Sequence, residues 1–306
     1  KPNVKLGLFL TKGKSMKTLF IVNPVAGRNS SFKIWNDIKA NINCSYESVL
    51  TKAPGDAARI AADAAKQGFT RVVAVGGDGT VSEVVNGIAG TDIELGIIPA
   101  GSGNDFAKTL NIPQKPIDAL VVVEKGQSLE VDLGKYDKGY FINVAGAGFD
   151  AETLNTNENT KFLRGTLAYT VSVLWTLFRY SPRKAIIEID GKTYHRKLWL
   201  AAVANGKYFG GGMKISPDAK IDDGLFDICL VNEISKLDFV RFFPKVFNGS
   251  HKDIKAFEVI RGKNVKIEFD AQTVAQADGE IIGFTPVTFS IIPKALKVIG
   301  NNFTSA

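Results

Sequence analysis

The first third of the chain alternates short apolar runs with amphipathic segments, a pattern that predicts strands followed by helices. KTLFIVNP (17–24) and RVVAVG (71–76) have the composition of buried strands, whereas residues 31–42 and DAARIAADAAKQG (56–68) have helical periodicity. Strands that alternate with helices require right-handed crossovers and a mostly parallel sheet. We therefore expect an α/β N-terminal domain.

Beyond residue 130 the pattern changes to strand-like pieces joined by Gly, Asp and Asn turns. YFINVAGAG (140–148), RKAIIEIDGKTYHRKLWLAAVANG (183–206) and VTFSIIPKA (287–295) are examples. Asp190-Gly191, between two alternating runs, predicts a β-hairpin. The second domain is therefore expected to be mainly antiparallel β, and a cleft between the two domains is the default ligand site.

The 306 residues suffice for two domains with separate cores. We expect an α/β domain at 16–130 and a β-rich domain at 131–293. The last segment, about 294–306, is expected to return to the first domain. Residues 1–15 precede the first clear strand and are interpreted as an upstream extension or a cloning remnant.

One segment, KFLRGTLAYTVSVLWTLFRY (161–180), is unusually apolar. Its uncharged core runs only from Gly165 to Phe178, whereas a membrane span needs roughly 20 residues. We interpret it as a buried helix or as part of the wall of an apolar substrate pocket, and we expect no transmembrane segment.

Composition narrows the chemistry. The chain is 45% hydrophobic and 23% charged, as is typical of globular proteins, and its two cysteines, Cys44 and Cys229, form no CxxC motif. Buried free thiols favour a reducing compartment, the cytoplasm. With only two histidines, His195 and His251, any general base is expected to be a carboxylate. The net charge of +7 suits an anionic ligand or lipid surface and is too small to indicate a nucleic-acid partner.

The stretch GGDGT (76–80) joins a predicted strand to a predicted helix. Glycine allows backbone N–H groups to approach an oxyanion closely, and a helix that begins there adds its positive end. Thr80 offers a hydroxyl to a phosphate, and Asp78 offers a carboxylate to a metal or a ribose. The stretch is either such a phosphate cradle or a tight structural turn.

Two further loops follow strands in the same way. In PAGSGNDFA (99–107), Asn104 and Asp105 either cap a helix or form a second wall of the phosphate site, and NPVAGR (23–28) follows the first strand. Ligands of parallel sheets bind at the carboxyl ends of the strands, so three loops at one edge favour a phosphate site. By contrast, GAGFDA (146–151) fits G-x-G-x-x-A but lies in the β-rich half without a βαβ unit, and we interpret that match as chance.

Taken together, these motifs resemble one family. VNPVAGR (22–28), GGDGTVSEVVNG (76–87), IPAGSGNDFA (98–107), DDGLFD (222–227) and ADGE (277–280) occur in the order and approximate spacing of the diacylglycerol kinase catalytic family, and the chain most resembles its soluble bacterial lipid kinase group. GGDGT alone is only moderately specific, because NAD kinases and phosphofructokinases have similar loops. The full set is highly specific.

The resemblance implies a kinase that transfers the γ-phosphoryl of ATP to a lipid hydroxyl. Diacylglycerol, giving phosphatidic acid, is the first-choice acceptor. Residues 16–130 would bind ATP and residues 131–293 the lipid, and a homodimer is expected. The protein would lie in the cytoplasm at the inner membrane leaflet, where Arg179, Arg183 and Lys184 either contact anionic headgroups or form a solvated rim.

By the same similarity, a defined set of residues would bind the nucleotide. Arg28 stands where the family places a basic residue, and Ser102 replaces the usual threonine while keeping its hydroxyl. Asp132 and Asp223 join Asp78 and Asp105 in an acidic network around the cleft. The nucleotide-binding set is Asn23, Pro24, Val25, Ala26, Gly27, Arg28, Thr51, Gly77, Asp78, Gly79, Thr80, Val81, Ser82, Glu83, Ser102 and Asp105.

KIDDGLF (220–226) matches a family Mg²⁺ site. It would use the Asp223 carboxylate with the carbonyls of Lys220 and Leu225, which are hard oxygen ligands suited to Mg²⁺. The alternative is a simple turn. A second Mg²⁺ would accompany ATP.

Glu280, in QADGEIIG (276–283), resembles the family's general base, and Asp78 competes for that role. Two alternative functions stay open, an NAD kinase-like phosphotransferase and a catalytically silent lipid- or nucleotide-binding regulator.

Overall fold

The computed structural model describes residues 17–159, 176–177 and 179–300. The predicted upstream extension at 1–15 and most of the apolar insertion at 161–180 lie outside the described residues. Among those described, no helix is both long and apolar enough to cross a membrane.

The N-terminal part is an α/β domain. Its strands are β1 (Thr18–Val22), β2 (Tyr46–Leu50), β3 (Arg71–Gly76) and β4 (Glu94–Pro99), and its helices are α1 (Ser30–Ile38), α2 (Asp56–Lys66), α3 (Asp78–Ile88), α4 (Asp105–Thr109) and α5 (Pro116–Lys125). The strands pair in parallel in the order β4-β3-β1-β2. Both faces of the sheet are covered, and β3 is buried at every position. The predicted parallel α/β domain is confirmed.

Helix α1 is shorter than the sequence predicted. It ends at Ile38 and continues as one 3₁₀ turn, Lys39–Asn41, instead of running to residue 42. The Asn41 side chain donates to the Asp37 carbonyl, and the Asn43 side chain donates to the Asn41 carbonyl, each at 3.1 Å. Such local side-chain bonds compete with the helical ladder, and they end the helix.

The C-terminal part is mostly antiparallel β. Its strands are β5 (Gln127–Tyr136), β6 (Gly139–Phe141), β7 (Val144–Gly148), β8 (Arg183–Ile189), β9 (Lys192–Ala204), β10 (Phe226–Asn232), β11 (Phe257–Gly262), β12 (Asn264–Phe269), β13 (Val274–Ala277), β14 (Glu280–Phe284) and β15 (Val287–Gly300), with helices α6 (Phe149–Asn159) and α7 (Lys236–Phe242) and the 3₁₀ turns Phe243–Phe247 and Ser250–Asp253. The β8–β9 hairpin turns at Asp190 and Gly191, with φ of 47° and 81°. Two left-handed residues are what a two-residue hairpin of the I′ type requires, so the hairpin prediction is confirmed.

Strand β15 links the two halves into one continuous sheet. Its beginning pairs antiparallel with β12, and its end pairs in parallel with β4 through Lys297 opposite Glu94 and Val298 opposite Leu95. Between these stretches the register with β5 shifts, after Ile292. The chain thus returns to the α/β domain at its C-terminal end.

The buried Asp132 fastens this register shift. Its Oδ1 accepts the Lys294 N–H at 2.8 Å and its Oδ2 accepts the Gly224 N–H at 2.7 Å. The residue is only 1% exposed. Asp132 therefore joins three backbone segments. The family resemblance instead implies a place for it in the acidic network around the cleft.

Candidate active site

The predicted phosphate loops do meet at one edge of the parallel sheet. The loops that follow β1, β2, β3 and β4 enclose a cleft of about 540 Å³, and Glu280, the first residue of β14, lines it from the β-rich side. This is the carboxyl edge of parallel strands, where ligands of α/β sheets collect. The cleft therefore has four loops of the first domain on one side and a carboxylate of the second on the other, and it is called the phosphate cleft below after the predicted role of these loops.

Glycine is required where two of these loops touch. A Cβ built on Gly77 would lie 3.0 Å from the Cα of Gly101, and a Cβ built on Gly101 would strike the Cα of Gly77. Any larger residue would separate the loops after β3 and β4. The Gly101 N–H is itself bonded to Asn104 Oδ1 at 2.9 Å. The absence of side chains at this contact lets a ligand approach the backbone of both loops closely.

Helix α3 begins inside the GGDGT motif, at Asp78, with Gly77 as an extended N-cap. No side chain caps this N-terminus, so its first N–H groups keep their capacity for an anionic ligand. Asn23 donates from Nδ2 to Thr80 Oγ1 at 3.0 Å, which ties the first loop to the helix start. The Thr80 hydroxyl proton is left for another acceptor.

Glu83 has a structural task at the same cleft. Its Oε2 accepts the Ala57 N–H at 3.0 Å, and so it caps the first turn of α2 from the neighbouring helix. A carboxylate at a helix N-terminus is favourable for both hydrogen bonding and the helix dipole. Glu83 therefore fixes the loop after β2 against α3.

A second chamber, of about 260 Å³, lies behind the phosphate cleft. Asp78, Asp105 and Asp278 contribute carboxylates to it, and Gly103 and Gly279 line it too. The Asp78 Oδ1 accepts the Phe106 N–H at 3.2 Å. Burial, together with the neighbouring Asp105, raises the pKa of Asp78.

The two spaces share one wall, because alternate residues of three turns face opposite sides. Gly77 and Gly79 line the cleft while Asp78 between them lines the chamber; likewise Ser102 lines the cleft and Gly103 the chamber. In the third turn Gly279 lines the chamber and Glu280 the cleft. Asp78 and Asp105 therefore line the chamber and not the cleft that holds most of the predicted nucleotide set, and their nucleotide role stays a prediction.

Asp105 is held in place by both domains. Its Oδ2 accepts the Gly211 N–H at 2.7 Å, and its Oδ1 lies 3.4 Å from the Lys108 ammonium. Asn104 has φ of 53° and its side chain bonds the Gly101 backbone, so the loop after β4 is closed before α4 begins. Asn104 stands at the N-cap position of α4, but its side chain bonds Gly101 and does not cap the helix. Of this loop, Gly101 and Ser102 line the cleft.

The turn before Glu280 is anchored by Asp278. Its carboxylate accepts the N–H groups of Ile142, Asn143 and Val144 at 2.7, 2.8 and 3.2 Å. Burial raises the pKa of Asp278 to about 7, and the three N–H donors act in the opposite direction. This anchoring sets where the Glu280 carboxylate enters the cleft.

Most of the predicted nucleotide set lines the cleft, but five members do not: Asp78 and Asp105 line the chamber, and Arg28, Val81 and Ser82 line neither space. Arg28 is exposed and has a φ of 58°, and Val81 is 3% exposed in the hydrophobic core. The Ser82 carbonyl accepts a hydrogen bond from the Asn86 side chain. The nucleotide contacts predicted for these five residues stay predictions. The members that do line it are Asn23, Pro24, Val25, Ala26, Gly27, Thr51, Gly77, Gly79, Thr80, Glu83 and Ser102.

The predicted Mg²⁺ turn at Lys220, Asp223 and Leu225 already holds a cation. Asp223 Oδ1 accepts the Leu225 N–H at 3.1 Å, and Asp223 Oδ2 forms an ion pair with Arg261. Arg261 also donates to Asp227 at 3.1 Å. A magnesium ion at Asp223 would have to displace this guanidinium, and the predicted Mg²⁺ site stays a prediction. Nowhere in the described part of the chain do three or more His, Cys, Asp and Glu side chains form a metal-binding group.

The sequence reasoning missed two residues of the chamber, Asp150 and Gln276. They come from α6 and β13 and bond each other at 3.1 Å across 126 positions of sequence. The only signal was GAGFDA (146–151), which had been interpreted as a chance match.

Comparison with known proteins agrees with this geometry. Residues 17–136 match the family described as the diacylglycerol kinase catalytic domain, and residues 143–300 match the YegS C-terminal NAD kinase beta sandwich-like domain. A Mycobacterium tuberculosis protein named diacylglycerol kinase is 33% identical over 92% of this chain and 94% of its own length. One from Bacillus subtilis is 32% identical over 91% and 94%.

Solved structures show the same architecture. The crystal structure of a diacylglycerol kinase from Bacillus anthracis superposes with a TM-score of 0.73 and 28% identity over 95% of this chain and 98% of that one. The fold and these matches support a lipid kinase. The chain belongs to the diacylglycerol kinase family, which confirms the resemblance drawn from the motifs.

Proposed function

We propose that the protein transfers the γ-phosphoryl group of ATP to the hydroxyl of a lipid. The observation that carries the proposal is the shared wall, with glycine-rich loops on one side and a chamber of carboxylates on the other. A triphosphate would lie on the glycine side against the first N–H groups of α3. The acceptor would approach from the acidic side, with its hydroxyl at the turn that carries Gly279 and Glu280. Phosphoryl transfer requires such positioning and charge stabilisation more than covalent help from the protein.

The wall also offers ligands for the magnesium ion that accompanies ATP. Mg²⁺ in kinases is held by one or two carboxylates together with substrate phosphates. Asp78 and Asp105 are two adjacent carboxylates of that kind at the wall. The ion would neutralise phosphate charge, and these two side chains would hold it.

Glu280 is the proposed general base. Its carboxylate lines the cleft opposite the phosphate loops, and the Asp278 anchor fixes the turn that carries it. A base at this place accepts the proton of the acceptor hydroxyl as the oxygen attacks phosphorus. Asp78 is the competing base, and substitution of each separates the two roles.

A lipid panel assayed with labelled ATP tests the function. Diacylglycerol belongs in the panel because it is the acceptor in the names of the relatives, with phosphatidic acid as its product. NAD is assayed beside the lipids, since the second domain also matches an NAD kinase-like fold. Lipid phosphorylation without NAD phosphorylation supports the proposal, and the reverse result would replace it. ATP binding without any turnover would favour the silent regulator.

We also propose that the protein works at a membrane surface in the cytoplasm, as a homodimer and without a nucleic-acid partner. Of the three predicted headgroup contacts, Arg183 donates to the Gln272 carbonyl and to Thr273, both at 2.8 Å, whereas Lys184 is exposed. Lys184 is therefore the better contact for an anionic leaflet. Flotation with phosphatidylglycerol and phosphatidylcholine vesicles tests the surface, and light scattering tests the dimer.

A further inference from the structure

A buried carboxylate that the proposed chemistry does not use lies between two cavities. Asp150 stands in the first turn of α6 and is 9% exposed. With Phe209, it lines both the acidic chamber and an apolar cavity further into the β-rich domain. Any amphiphile that extends from one space into the other therefore passes this side chain.

The hydrogen bonds around Asp150 leave one oxygen without a partner. Gln276 donates from Nε2 to Asp150 Oδ2 at 3.1 Å, and Gln276 Oε1 accepts the Gly279 N–H at 3.0 Å. The Gly279 bond fixes the orientation of the amide, so its NH₂ group must face Asp150. The Asp150 Oδ1 is buried and has no hydrogen-bond partner among the residues that the structure describes. Such an atom is costly unless a ligand satisfies it.

This oxygen is an acceptor at neutral pH. Burial raises the pKa of Asp150 to about 6, against the Ala151 N–H and the Gln276 amide, which favour the charged form. The N-terminal end of α6 also favours a negative charge. Above pH 6 the carboxylate is therefore mostly ionised, and an ionised carboxylate accepts hydrogen bonds and donates none.

The apolar cavity indicates what else the ligand contains. It measures about 90 Å³, and Met213, Phe239, Phe243 and Val246 are among its lining residues. One water needs about 10–15 Å³ on the same measure, so several methylene groups fit. A hydrocarbon chain in this space would place its polar end at Asp150.

We infer that Asp150 is a specificity-determining residue, whose Oδ1 accepts a hydrogen bond from a second hydroxyl of the lipid acceptor, next to the one that is phosphorylated. The inference rests on the proposed lipid kinase function and narrows its substrate class to lipid diols. Diacylglycerol presents only ester oxygens beside its single hydroxyl, and ester oxygens cannot donate to Asp150. A site built to bind a hydroxyl strongly rejects the analogue that lacks it.

Two acceptors that differ by a single hydroxyl group test the role of Asp150. 1-Monoacylglycerol carries a second hydroxyl, and the 1,3-propanediol monoester of the same fatty acid does not. For the wild-type protein we expect kcat/KM to favour the monoacylglycerol by about tenfold or more. A ratio near one overturns the inference, and this result depends on no variant.

The variant Asp150→Asn provides a second test of the same inference. Its amide oxygen can keep the Gln276 bond while its NH₂ group faces the chamber, which exchanges an acceptor for a donor without a change in size. We expect the preference for the diol to fall to about one and the KM for ATP to stay unchanged. Asp63→Asn, an exposed acid-to-amide change on α2, should keep the wild-type ratio. Retention of the preference in Asp150→Asn would overturn the inference.

The outcomes separate the two proposals. If the wild-type protein phosphorylates diacylglycerol but treats the two monoesters alike, only the role of Asp150 fails. If it phosphorylates no lipid in the panel, the kinase proposal fails and the inference fails with it.

Discussion

Gly77 and Gly101, which follow adjacent parallel strands, touch through their backbones, and neither has room for a side chain. The contact closes the floor of the phosphate cleft. The contribution of this contact to the free energy of unfolding can be measured without any ligand.

Gly101→Ala should destabilise the protein. The added methyl group would strike the Cα of Gly77, which cannot rotate away as a side chain would, so we expect a loss of about 1–3 kcal/mol in the free energy of unfolding. Gly79→Ala is the matched control: a Cβ there meets nothing within 4 Å, and the residue lies inside helix α3. The control should be neutral or stabilised by about 0.5–1 kcal/mol. Denaturant titration measures both, and equal stabilities would contradict the steric argument.

Glu280→Gln should abolish most lipid phosphorylation with little change in the KM for ATP. The amide keeps the shape of the side chain but cannot accept the hydroxyl proton, and loss of a general base typically costs about 10²–10⁴-fold in rate. Asp78→Asn should lower both turnover and Mg-ATP affinity, since it removes one of the two proposed magnesium ligands. Steady-state kinetics with ATP and lipid varied in turn distinguishes the two. Near-normal turnover in Glu280→Gln would transfer the base role to Asp78.

Chelation should leave the stability of the nucleotide-free protein unchanged, because Arg261 already serves as the cation at Asp223 and Asp227. Arg261→Ala would remove the only cation that pairs with the buried Asp227 among the described residues, leaving it the Ser216 hydroxyl alone, and should cost about 1–3 kcal/mol. Millimolar Mg²⁺ should then raise the melting temperature of the variant and not that of the wild type. Lys266→Ala, which removes an exposed ion pair with Glu268, is the control and should change stability by less than about 1 kcal/mol. A melting temperature of the wild-type protein that falls with EDTA would restore the metal site.

Asp150 should make the protein less stable as the pH rises. Its folded pKa of about 6 lies above the ordinary value of 3.8, so between these two values the folded state holds a proton that the unfolded state has lost. The free energy of unfolding therefore falls across that interval, by at most about 1.4 kcal/mol per pH unit, and its contribution is constant above pH 6. Unfolding titrations from pH 4 to 7 should show a shallower decline for Asp150→Asn. Parallel curves for the two proteins would contradict the raised pKa.

The phosphate cleft could be predicted because its signals are local. Glycines, a hydroxyl and a helix start within GGDGT (76–80) follow a buried strand, and parallel strands bring such loops to one edge. The side of the wall that Asp78 faces could not be predicted, because it depends on where α3 begins within the motif. That start, at Asp78 itself, turns the carboxylate away from the glycines on either side.

Contacts between residues that are distant in sequence could not be predicted, for a different reason. Asp150 meets Gln276, and Asp223 meets Arg261, only because antiparallel strands bring these segments together. A lone aspartate in sequence carries no sign of its partner. The family resemblance predicts that Asp223 is a magnesium ligand. In the structure the Arg261 guanidinium forms an ion pair with the same carboxylate.

Strand β15 makes the α/β half dependent on residues that follow the whole β-rich half in the sequence. Until the end of β15 pairs with β4, strand β4 has an open edge. A fragment of residues 17–136 would expose this edge to other chains. We therefore expect the α/β half not to fold stably without β15. Recombinant production of the first half alone should give aggregates, whereas co-expression with a peptide that spans β15 should rescue it.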